Sequence, residues 1–314
     1  MRILITGGAG FIGSHLADYY LAQGSEILVL DNFSTGSDNN ILHIKNRITL
    51  IDDDIRNTVL LNSLIPEVDL VLHMAAAVGV STILKSPIES MSTNIFGSEA
   101  VLNTAAAFNK RIIIASTSEI YGKNTKQPLS ETDDRVVGAP QKIRWSYSDA
   151  KAVEEAMAYA LHQERNLPVT TLRFFNTVGP RQTGRYGMVI PRFIGAALRN
   201  DPLTVYGNGL QSRVFCHVQD VVNAIAAVVK TNSTIGQVFN VGGIGEVTIK
   251  DLAEKIISAT NSKSQITYTP YLEAYPDGFE DIHRRVPDIT KIQEAIAWKP
   301  NLSLDQIIKD ISGI

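Results

Sequence analysis

ITGGAGFIG, residues Ile5 to Gly13, follows a short apolar run and precedes a stretch with helical periodicity. Its glycines recur every third position, at Gly7, Gly10 and Gly13. Glycines at a strand-to-helix turn let backbone N–H groups approach a pyrophosphate at the N-terminus of the helix. The stretch therefore predicts the phosphate-binding turn of a Rossmann-like domain. The expected cofactor contacts in this turn are Gly7, Gly10, Phe11, Ile12 and Gly13.

Apolar runs alternate with helical stretches along the first half of the chain. The runs RILIT, EILVL, ITLI, DLVLHMA, RIIIAST and VTTLRFF are typical of buried strands. Helical patterns cover Phe11 to Ala22, Leu60 to Leu64, Ile88 to Phe108 and Trp145 to Glu164. Strands that alternate with helices predict an α/β fold with a doubly wound parallel sheet.

The pattern loosens after FNTVGPRQTGRYG, where proline, glycine and tyrosine become more frequent. It returns in VFCHVQDVVNAIAAVV and in GQVFNVGG. We therefore expect residues 1–176 to form a dinucleotide-binding domain to which the chain returns at about 213–243. Residues 177–212 and 244–314 are expected to form a smaller, interleaved lobe that binds the substrate.

Composition excludes several classes of protein. The net charge of −3 gives no basic footprint for nucleic acid, and no apolar run approaches the ~20 residues that span a bilayer. Cys216 is the single cysteine, and no Cys/His spacing suggests a metal site. The chain opens directly into a strand pattern, so we expect no signal peptide. We expect a cytoplasmic protein with no membrane, nucleic-acid or metal partner.

Asp31 ends the second predicted strand and is followed by Asn32 in NFSTG. A carboxylate at this position accepts hydrogen bonds from the adenosine ribose and repels a 2′-phosphate. No arginine or lysine in NFSTG compensates for that charge. The cofactor is therefore predicted to be NAD rather than NADP, although an aspartate that only caps a turn would look the same.

IRWSYSDAK contains Tyr147 and Lys151, four residues apart on one face of a predicted helix. The strand RIIIAST ends in hydroxyls and leads to Ser118 and Glu119, at the sheet edge where ligands bind. Thr117, Tyr147 and Lys151 could converge there. A lysine cation and a positive nicotinamide both favour the tyrosine phenolate, which could take a proton from a substrate hydroxyl as hydride leaves the same carbon. The alternative is an ordinary pair on a helix surface.

These motifs, together with DDDIRN, HMAA, RFFNTVGPR and TVYGNGLQSRVFCHV, resemble an extended short-chain dehydrogenase/reductase of the nucleotide-sugar epimerase, dehydratase and decarboxylase group. The resemblance covers nearly the whole chain. It implies cofactor contacts at Asp54, Ile55, Ala75, Ala76 and Asn94, in addition to Tyr147 and Lys151. It implies UDP-sugar contacts at Ser118, Asn176, Arg192, Tyr206 and Arg213, although Asn176 could instead cap a loop and Arg213 could be a surface charge. It also implies a homodimer held by a four-helix bundle.

The resemblance leaves two reactions open, both through oxidation at C4. Glu119 in TSE and Arg285 in HRRVP resemble UDP-glucuronate decarboxylases and UDP-apiose/UDP-xylose synthases, where the arginine acts at the substrate carboxylate. Arg192 in MVIPRFI instead resembles the carboxylate clamp of UDP-glucuronate 4-epimerases. The preferred prediction is a UDP-glucuronate decarboxylase with catalytic residues Thr117, Glu119, Tyr147, Lys151 and Arg285. A UDP-sugar 4-epimerase is the close alternative. A dehydratase and a catalytically silent NAD-binding regulator are more distant.

Overall fold

The computed structural model describes residues 1–184, 188–274, 280 and 282–314. The strands are β1 (Arg2–Thr6), β2 (Glu26–Asp31), β3 (Thr49–Asp52), β4 (Leu70–His73), β5 (Arg111–Thr117), β6 (Val169–Phe174), β7 (Thr177–Val178), β8 (Leu203–Tyr206), β9 (Ser212–Arg213), β10 (Cys216–His217), β11 (Val238–Val241), β12 (Val247–Thr248), β13 (Ile266–Thr269) and β14 (Arg284–Arg285).

The α-helices are α1 (Phe11–Ala22), α2 (Thr58–Leu64), α3 (Val80–Lys85), α4 (Pro87–Ser92), α5 (Ser98–Ala107), α6 (Ser146–Arg165), α7 (Val189–Leu198), α8 (Val218–Lys230), α9 (Ile249–Ala259), α10 (Tyr271–Ala274), α11 (Thr290–Ile296) and α12 (Leu304–Ser312). A turn of π-helix, Thr93–Gly97, joins α4 to α5. The helices and strands predicted for the first half are therefore present, and their ends differ from the prediction by at most two residues.

Seven parallel strands form the central sheet, in the order β11-β6-β5-β4-β1-β2-β3. The sheet grows from β1 in two directions, so the strand order reverses between β1 and β4. Ligands of doubly wound sheets bind beyond the carboxyl ends of the strands at such a reversal. The prediction of a Rossmann-like doubly wound sheet is confirmed.

Helices cover both faces of this sheet. Leu16 of α1 and Val221 of α8 belong to the core on one face, and Leu102 of α5 and Ala158 of α6 belong to the core on the other. β11 is the edge strand of this sheet, and α8 packs in the same core as α1.

A third core holds the second lobe together. It contains Phe193 of α7, Leu252 of α9 and Ile308 of α12. One stretch that the sequence analysis assigned to this lobe lies elsewhere, because Ile292 of α11 and Trp298 are buried in the first core. The apolar side of a seven-residue helix fits either core, so its sequence pattern does not say which one it joins.

β14 connects the two lobes next to the carboxyl ends of the central strands. It pairs in parallel with β9, so that Arg285 is the register partner of Arg213. Just beyond it, Val286 O accepts from the backbone N–H of Leu129 at 2.8 Å, and Leu129 O accepts from Asp288 at 2.8 Å. These bonds fix Arg285 beside the first lobe.

Among the described residues, no helix has the length and apolarity that crossing a bilayer requires.

Candidate active site

One continuous cleft runs along the carboxyl ends of the central strands. Most of the predicted site residues lie on its wall, namely Gly7, Gly10, Phe11, Ile12, Gly13, Asp31, Asn32, Ile55, Ala75, Ala76, Thr117, Ser118, Glu119, Tyr147, Asn176 and Arg285. We call it the active-site cleft. Among the described residues, six predicted ones lie off this wall: Asp54, Asn94, Lys151, Arg192, Tyr206 and Arg213.

The glycine turn has no room for side chains. Gly7 has a positive φ of 68°, and a Cβ on it would lie 2.7 Å from the Cα of Ala75. A Cβ on Gly13 would lie 2.2 Å from the carbonyl oxygen of Gly7. α1 begins at Phe11 without a side-chain cap, and its first residues, Phe11 to Gly13, line the cleft. The turn therefore fits a pyrophosphate group.

Asp31 lies at the adenosine end of the cleft. Its carboxylate accepts from the backbone N–H groups of Ala9 and Phe33, each at 2.9 Å, and so ties the glycine turn to the loop after β2. Burial raises the pKa of Asp31, and these two backbone hydrogen bonds oppose that shift. A buried carboxylate with no arginine or lysine in residues 32–36 fits the ribose of NAD and not a 2′-phosphate.

The next wall segment differs in one residue from the expected adenine contacts. Ile55 lies on the wall, but Asp53 lies there in place of Asp54. Arg56 donates to both carboxylate oxygens of Asp54 at 2.8 Å and lowers the pKa of Asp54 to about 2. Three consecutive aspartates in DDDI gave no sequence signal for which one faces the cofactor.

Asn94 supports the cofactor wall from behind. Its side-chain oxygen accepts from the N–H of Ala77 at 2.9 Å, and its Nδ2 donates to the carbonyl of Ala77 at 3.0 Å. These two bonds hold the loop after β4, which carries Ala75 and Ala76. Asn94 thus shapes the cofactor site from a buried position.

Tyr147 and Thr117 meet at the end of β5. The Thr117 hydroxyl accepts from the N–H of Glu119 at 3.1 Å and caps the short 3₁₀ helix Ser118–Tyr121. Tyr147 lies in the first turn of α6. Burial and the negative charges of Glu154 and Glu119 raise the pKa of Tyr147 above its usual 10, and a hydrogen bond with Thr117 lowers it. The predicted hydroxyl and phenol are therefore adjacent.

Lys151 is buried one turn further along α6. Its Nζ donates to the carbonyl of Ala115 at 2.8 Å and to Oε2 of Glu154 at 2.6 Å. The sequence analysis expected the lysine cation to favour the Tyr147 phenolate. The structure adds the carboxylate of Glu154, which opposes that effect and which sequence reasoning did not identify.

Glu119 binds two arginines. Arg285 donates to Oε1 of Glu119 at 2.7 Å and to the Ser118 hydroxyl at 3.2 Å, and Arg144 Nη1 lies 2.5 Å from Oε2 of Glu119. Burial alone would raise the pKa of Glu119, but the two guanidinium groups hold it well below its usual range. We call Glu119, Arg144 and Arg285 the ion cluster. Arg144 received no role from the sequence, although the RWSY motif contains it.

The predicted substrate contacts are more dispersed. Asn176 lies on the wall, and its Nδ2 donates to the carbonyl of Val214 at 2.9 Å. Arg192 stacks on the ring of Tyr206 at 4.4 Å and donates to the carbonyl of Thr204 at 3.0 Å. Arg213 donates to the carbonyl of Ser212 at 2.8 Å.

Comparisons with known proteins agree with this arrangement. The family model described as GDP-mannose 4,6 dehydratase matches residues 4–311. A UDP-N-acetyl-alpha-D-glucosaminuronate decarboxylase from Bacillus cytotoxicus is 43% identical over 98% of this chain and 96% of its own.

Two solved structures are similar along the whole chain. The UDP-glucose 4-epimerase of Thermotoga maritima, solved with UDP-glucose, superposes with a TM-score of 0.90 at 28% identity, covering 100% of this chain and 98% of its own. The UDP-glucuronic acid 4-epimerase of Bacillus cereus, in complex with UDP-glucuronic acid and NAD, gives 0.89 at 27% identity with the same coverage.

The doubly wound sheet is thus shared with proteins that act on nucleotide sugars. The chain belongs to the GDP-mannose 4,6-dehydratase family of extended short-chain dehydrogenases/reductases, whose members modify nucleotide sugars.

Proposed function

We propose that the protein is an NAD-dependent decarboxylase of a UDP-activated uronic acid, and that it acts through a 4-keto intermediate. The ion cluster carries this proposal, because it brings two guanidinium groups to the wall of the cleft beside Tyr147. Guanidinium groups bind carboxylates through paired, charge-assisted hydrogen bonds. The 43% identical decarboxylase supports the same reaction.

The cofactor site supplies the redox chemistry of the reaction. Bound in this site, NAD⁺ would supply the hydride acceptor for oxidation at C4 and the hydride donor for the final reduction. Gly7 and Gly13 leave space for the pyrophosphate, and Asp31 receives the adenosine ribose.

Tyr147 acts as the base during oxidation at C4. It takes the proton of the C4 hydroxyl, and Thr117 hydrogen-bonds the phenol and orients it. Lys151 lies behind the tyrosine, where its position is fixed by Ala115 and Glu154. In the last step Tyr147 returns the proton to the C4 oxygen.

Loss of CO₂ follows from the chemistry of the oxidised sugar. A 4-keto uronic acid is a β-keto acid, so the C5–C6 bond breaks with its electrons moving into the C4 carbonyl. The resulting enolate takes one proton from solvent at C5, separate from the proton that Tyr147 holds, and reduction at C4 gives the UDP-pentose. Arg285 binds the departing carboxylate, while Arg144 keeps Glu119 ionised and in place.

The 4-epimerase remains the second candidate, favoured by the structural similarity to the UDP-glucuronic acid 4-epimerase. Its expected carboxylate clamp, Arg192, is stacked on Tyr206 and bonded to Thr204, away from the described cleft wall. A dehydratase would need Glu119 to exchange a proton at C5, and a carboxylate with two arginine partners is a weak proton acceptor. A silent regulator is disfavoured because Thr117, Tyr147 and Lys151 are all present.

The test is a proton NMR time course of the purified protein with NAD⁺ and either UDP-glucuronate or UDP-N-acetylglucosaminuronate. Appearance of a UDP-pentose, or of its 2-acetamido counterpart, with equal CO₂ release supports decarboxylation and identifies the substituent at C2. A 4-epimer with an unchanged carbon count would replace the proposal with the epimerase. No reaction of either sugar would refute the uronic-acid reading.

Neighbouring arginines on β14 give a matched control. Arg285 is buried and binds Glu119, whereas Arg284 is exposed and binds Glu246. Arg285→Gln should lower kcat/KM by about ten- to a hundredfold, in line with loss of a charge-assisted contact to the reacting group. Arg284→Gln removes the same charge one residue away, so its effect should stay within threefold.

The expected homodimer rests on α5 and α6. Val153 and Tyr159 on α6 and Phe96 before α5 are apolar or aromatic, yet 41%, 62% and 59% exposed in the single chain. Pairing of these helices with a second copy would cover such side chains. A molar mass from light scattering tests the dimer, and Tyr159→Glu should shift the mass towards the monomer. A cytoplasmic location stays a prediction of the sequence.

A further inference from the structure

Glu154 is a fully buried carboxylate that the proposed reaction does not use. Its Oε2 accepts from Lys151 Nζ at 2.6 Å and from the Ser98 hydroxyl at 3.0 Å. Neither its side chain nor that of Lys151 is exposed by more than 1%. A buried carboxylate is costly unless its charge is compensated, so the Lys151 cation is needed to keep Glu154 charged at this position.

A chain of hydrogen bonds joins Glu154 to the cofactor wall. Because the Ser98 hydroxyl donates to Glu154, it must accept from Nε2 of His73, which lies 3.0 Å away. Nδ1 of His73 then accepts from the Thr6 hydroxyl at 2.7 Å, and that hydroxyl accepts from the N–H of Ala75 at 3.3 Å. Burial and the charge of Lys151 lower the pKa of His73 to about 3, so the ring stays neutral.

Each hydrogen bond between Glu154 and Ala75 therefore has a fixed donor and a fixed acceptor. The Glu154 carboxylate can only accept at one end, and the backbone N–H of Ala75 can only donate at the other. The carboxylate also fixes the ammonium group of Lys151, and the N–H belongs to the cofactor wall.

Charge determines what Glu154 does to the reacting tyrosine. Tyr147, Lys151 and Glu154 occupy positions i, i+4 and i+7 of α6 and share one face of the helix. Burial raises the pKa of Glu154, while the Lys151 cation and the Ser98 hydroxyl oppose that shift and stabilise the carboxylate. As a carboxylate, Glu154 cancels the cation that would otherwise stabilise the phenolate. Glu119 after β5 also acts on Tyr147, and it is paired with Arg144 before α6 and Arg285 on β14.

We propose that Glu154 is a positioning residue that holds and neutralises Lys151, and so makes Tyr147 release its proton only at higher pH. The proposal rests on the proposed role of Tyr147 as the base for C4 oxidation, whichever uronic acid is the substrate. Burial and the negative charge of Glu154 both raise the pKa of Tyr147, which is the direction that this arrangement requires.

The test variant is Glu154→Gln, which keeps the shape of the side chain and removes its charge. Two unit charges about two helical turns apart in a protein interior change a pKa by about one unit. The acidic limb of the pH profile of kcat/KM should therefore move to lower pH by about one unit. The matched control is Glu155→Gln, since Glu155 is the next residue on α6 but binds Arg173 instead. Its acidic limb should stay where it is.

A second readout needs no turnover. Ultraviolet difference titration of tyrosinate, with each protein measured against the same protein carrying Tyr147→Phe, follows the ionisation of Tyr147 directly. Its midpoint should fall by the same amount in Glu154→Gln. This measurement decides the inference even if no nucleotide sugar is converted, so failure of the proposed function is seen separately.

Two results would overturn the inference. One is an unchanged tyrosinate midpoint in folded Glu154→Gln, and the other is an equal shift in Glu155→Gln. Should Glu154→Gln not fold, Ser98→Ala replaces it, because that change removes the hydroxyl that stabilises the Glu154 carboxylate. The midpoint should then fall by a smaller amount, and an unmoved midpoint in folded Ser98→Ala counts against the role of Glu154.

Discussion

Replacing Glu119 by glutamine should destabilise the protein through the two arginines that it binds. Arg144 and Arg285 are 5% and 6% exposed, so neither guanidinium group can recover its hydration when the carboxylate is removed. The amide oxygen of glutamine can still accept one hydrogen bond, but its NH₂ group would face the other guanidinium. Two buried positive charges would then share one neutral acceptor.

The size of the effect follows from this geometry. Breaking a buried ion pair costs about 3–5 kcal/mol, and the one retained hydrogen bond places Glu119→Gln near the lower end, at about 3 kcal/mol. At about 2.1 cal/mol/K per residue, unfolding 314 residues carries an entropy of about 0.66 kcal/mol/K. A loss of about 3 kcal/mol should therefore lower the Tm by about 4–5 °C.

Differential scanning calorimetry measures this change. Glu246→Gln is the control, because Glu246 forms the other glutamate–arginine pair of β14 and its partner Arg284 is 56% exposed. Surface pairs contribute about 0–1 kcal/mol, so the Tm of the control should fall by less than about 2 °C. If both variants lose the same amount, or Glu119→Gln loses less than about 1 °C, the ion cluster does not carry the stability assigned to it.

Gly13→Ala should abolish NAD binding in isothermal titration, because its Cβ would lie 2.2 Å from the oxygen of Gly7; measurable binding at the affinity of the unchanged protein would refute this use of the turn. Arg192→Gln should cost about 1–2 kcal/mol of stability by removing its stack on Tyr206 and a partly buried hydrogen bond, while KM for the uronic acid changes less than threefold. A tenfold rise in KM would instead favour the 4-epimerase clamp. The lowered pKa of Glu119 stabilises the fold fully above its ordinary value of 4.5, and this contribution is lost as the pH falls below it. The acid-unfolding curve of Glu119→Gln should therefore be flatter below that pH.

The parts of the site that could be predicted from the sequence are those fixed by local geometry. The spacing of Gly7 and Gly13 reports a turn whose backbone leaves no space for a Cβ. The spacing of Tyr147 and Lys151 reports one face of a helix. Both patterns are short, so the residues that constrain each other lie close together in the amino-acid sequence.

The parts that could not be predicted depend on distant partners. Glu119 and Arg285 are 166 residues apart, and the family resemblance gave each of them a role without predicting that they bind each other. Arg144 and Glu154 gave no signal, because their roles come from a buried carboxylate and a buried lysine that only the folded chain brings to them. The stack of Arg192 on Tyr206 likewise comes from the packing of α7 against β8.

The order of strands in the central sheet has a consequence for synthesis of the chain on the ribosome. β6 ends at Phe174, but its neighbour β11 is complete only at Val241. At about 5–20 residues/s, the ribosome needs roughly 3–13 s to make the intervening segment. During that time β6 has no partner strand on the side that β11 will occupy, and an exposed strand edge of this kind can pair with other chains. The nascent protein therefore passes through an interval in which chaperone cover matters most, and the sheet closes only after the second lobe has begun to emerge.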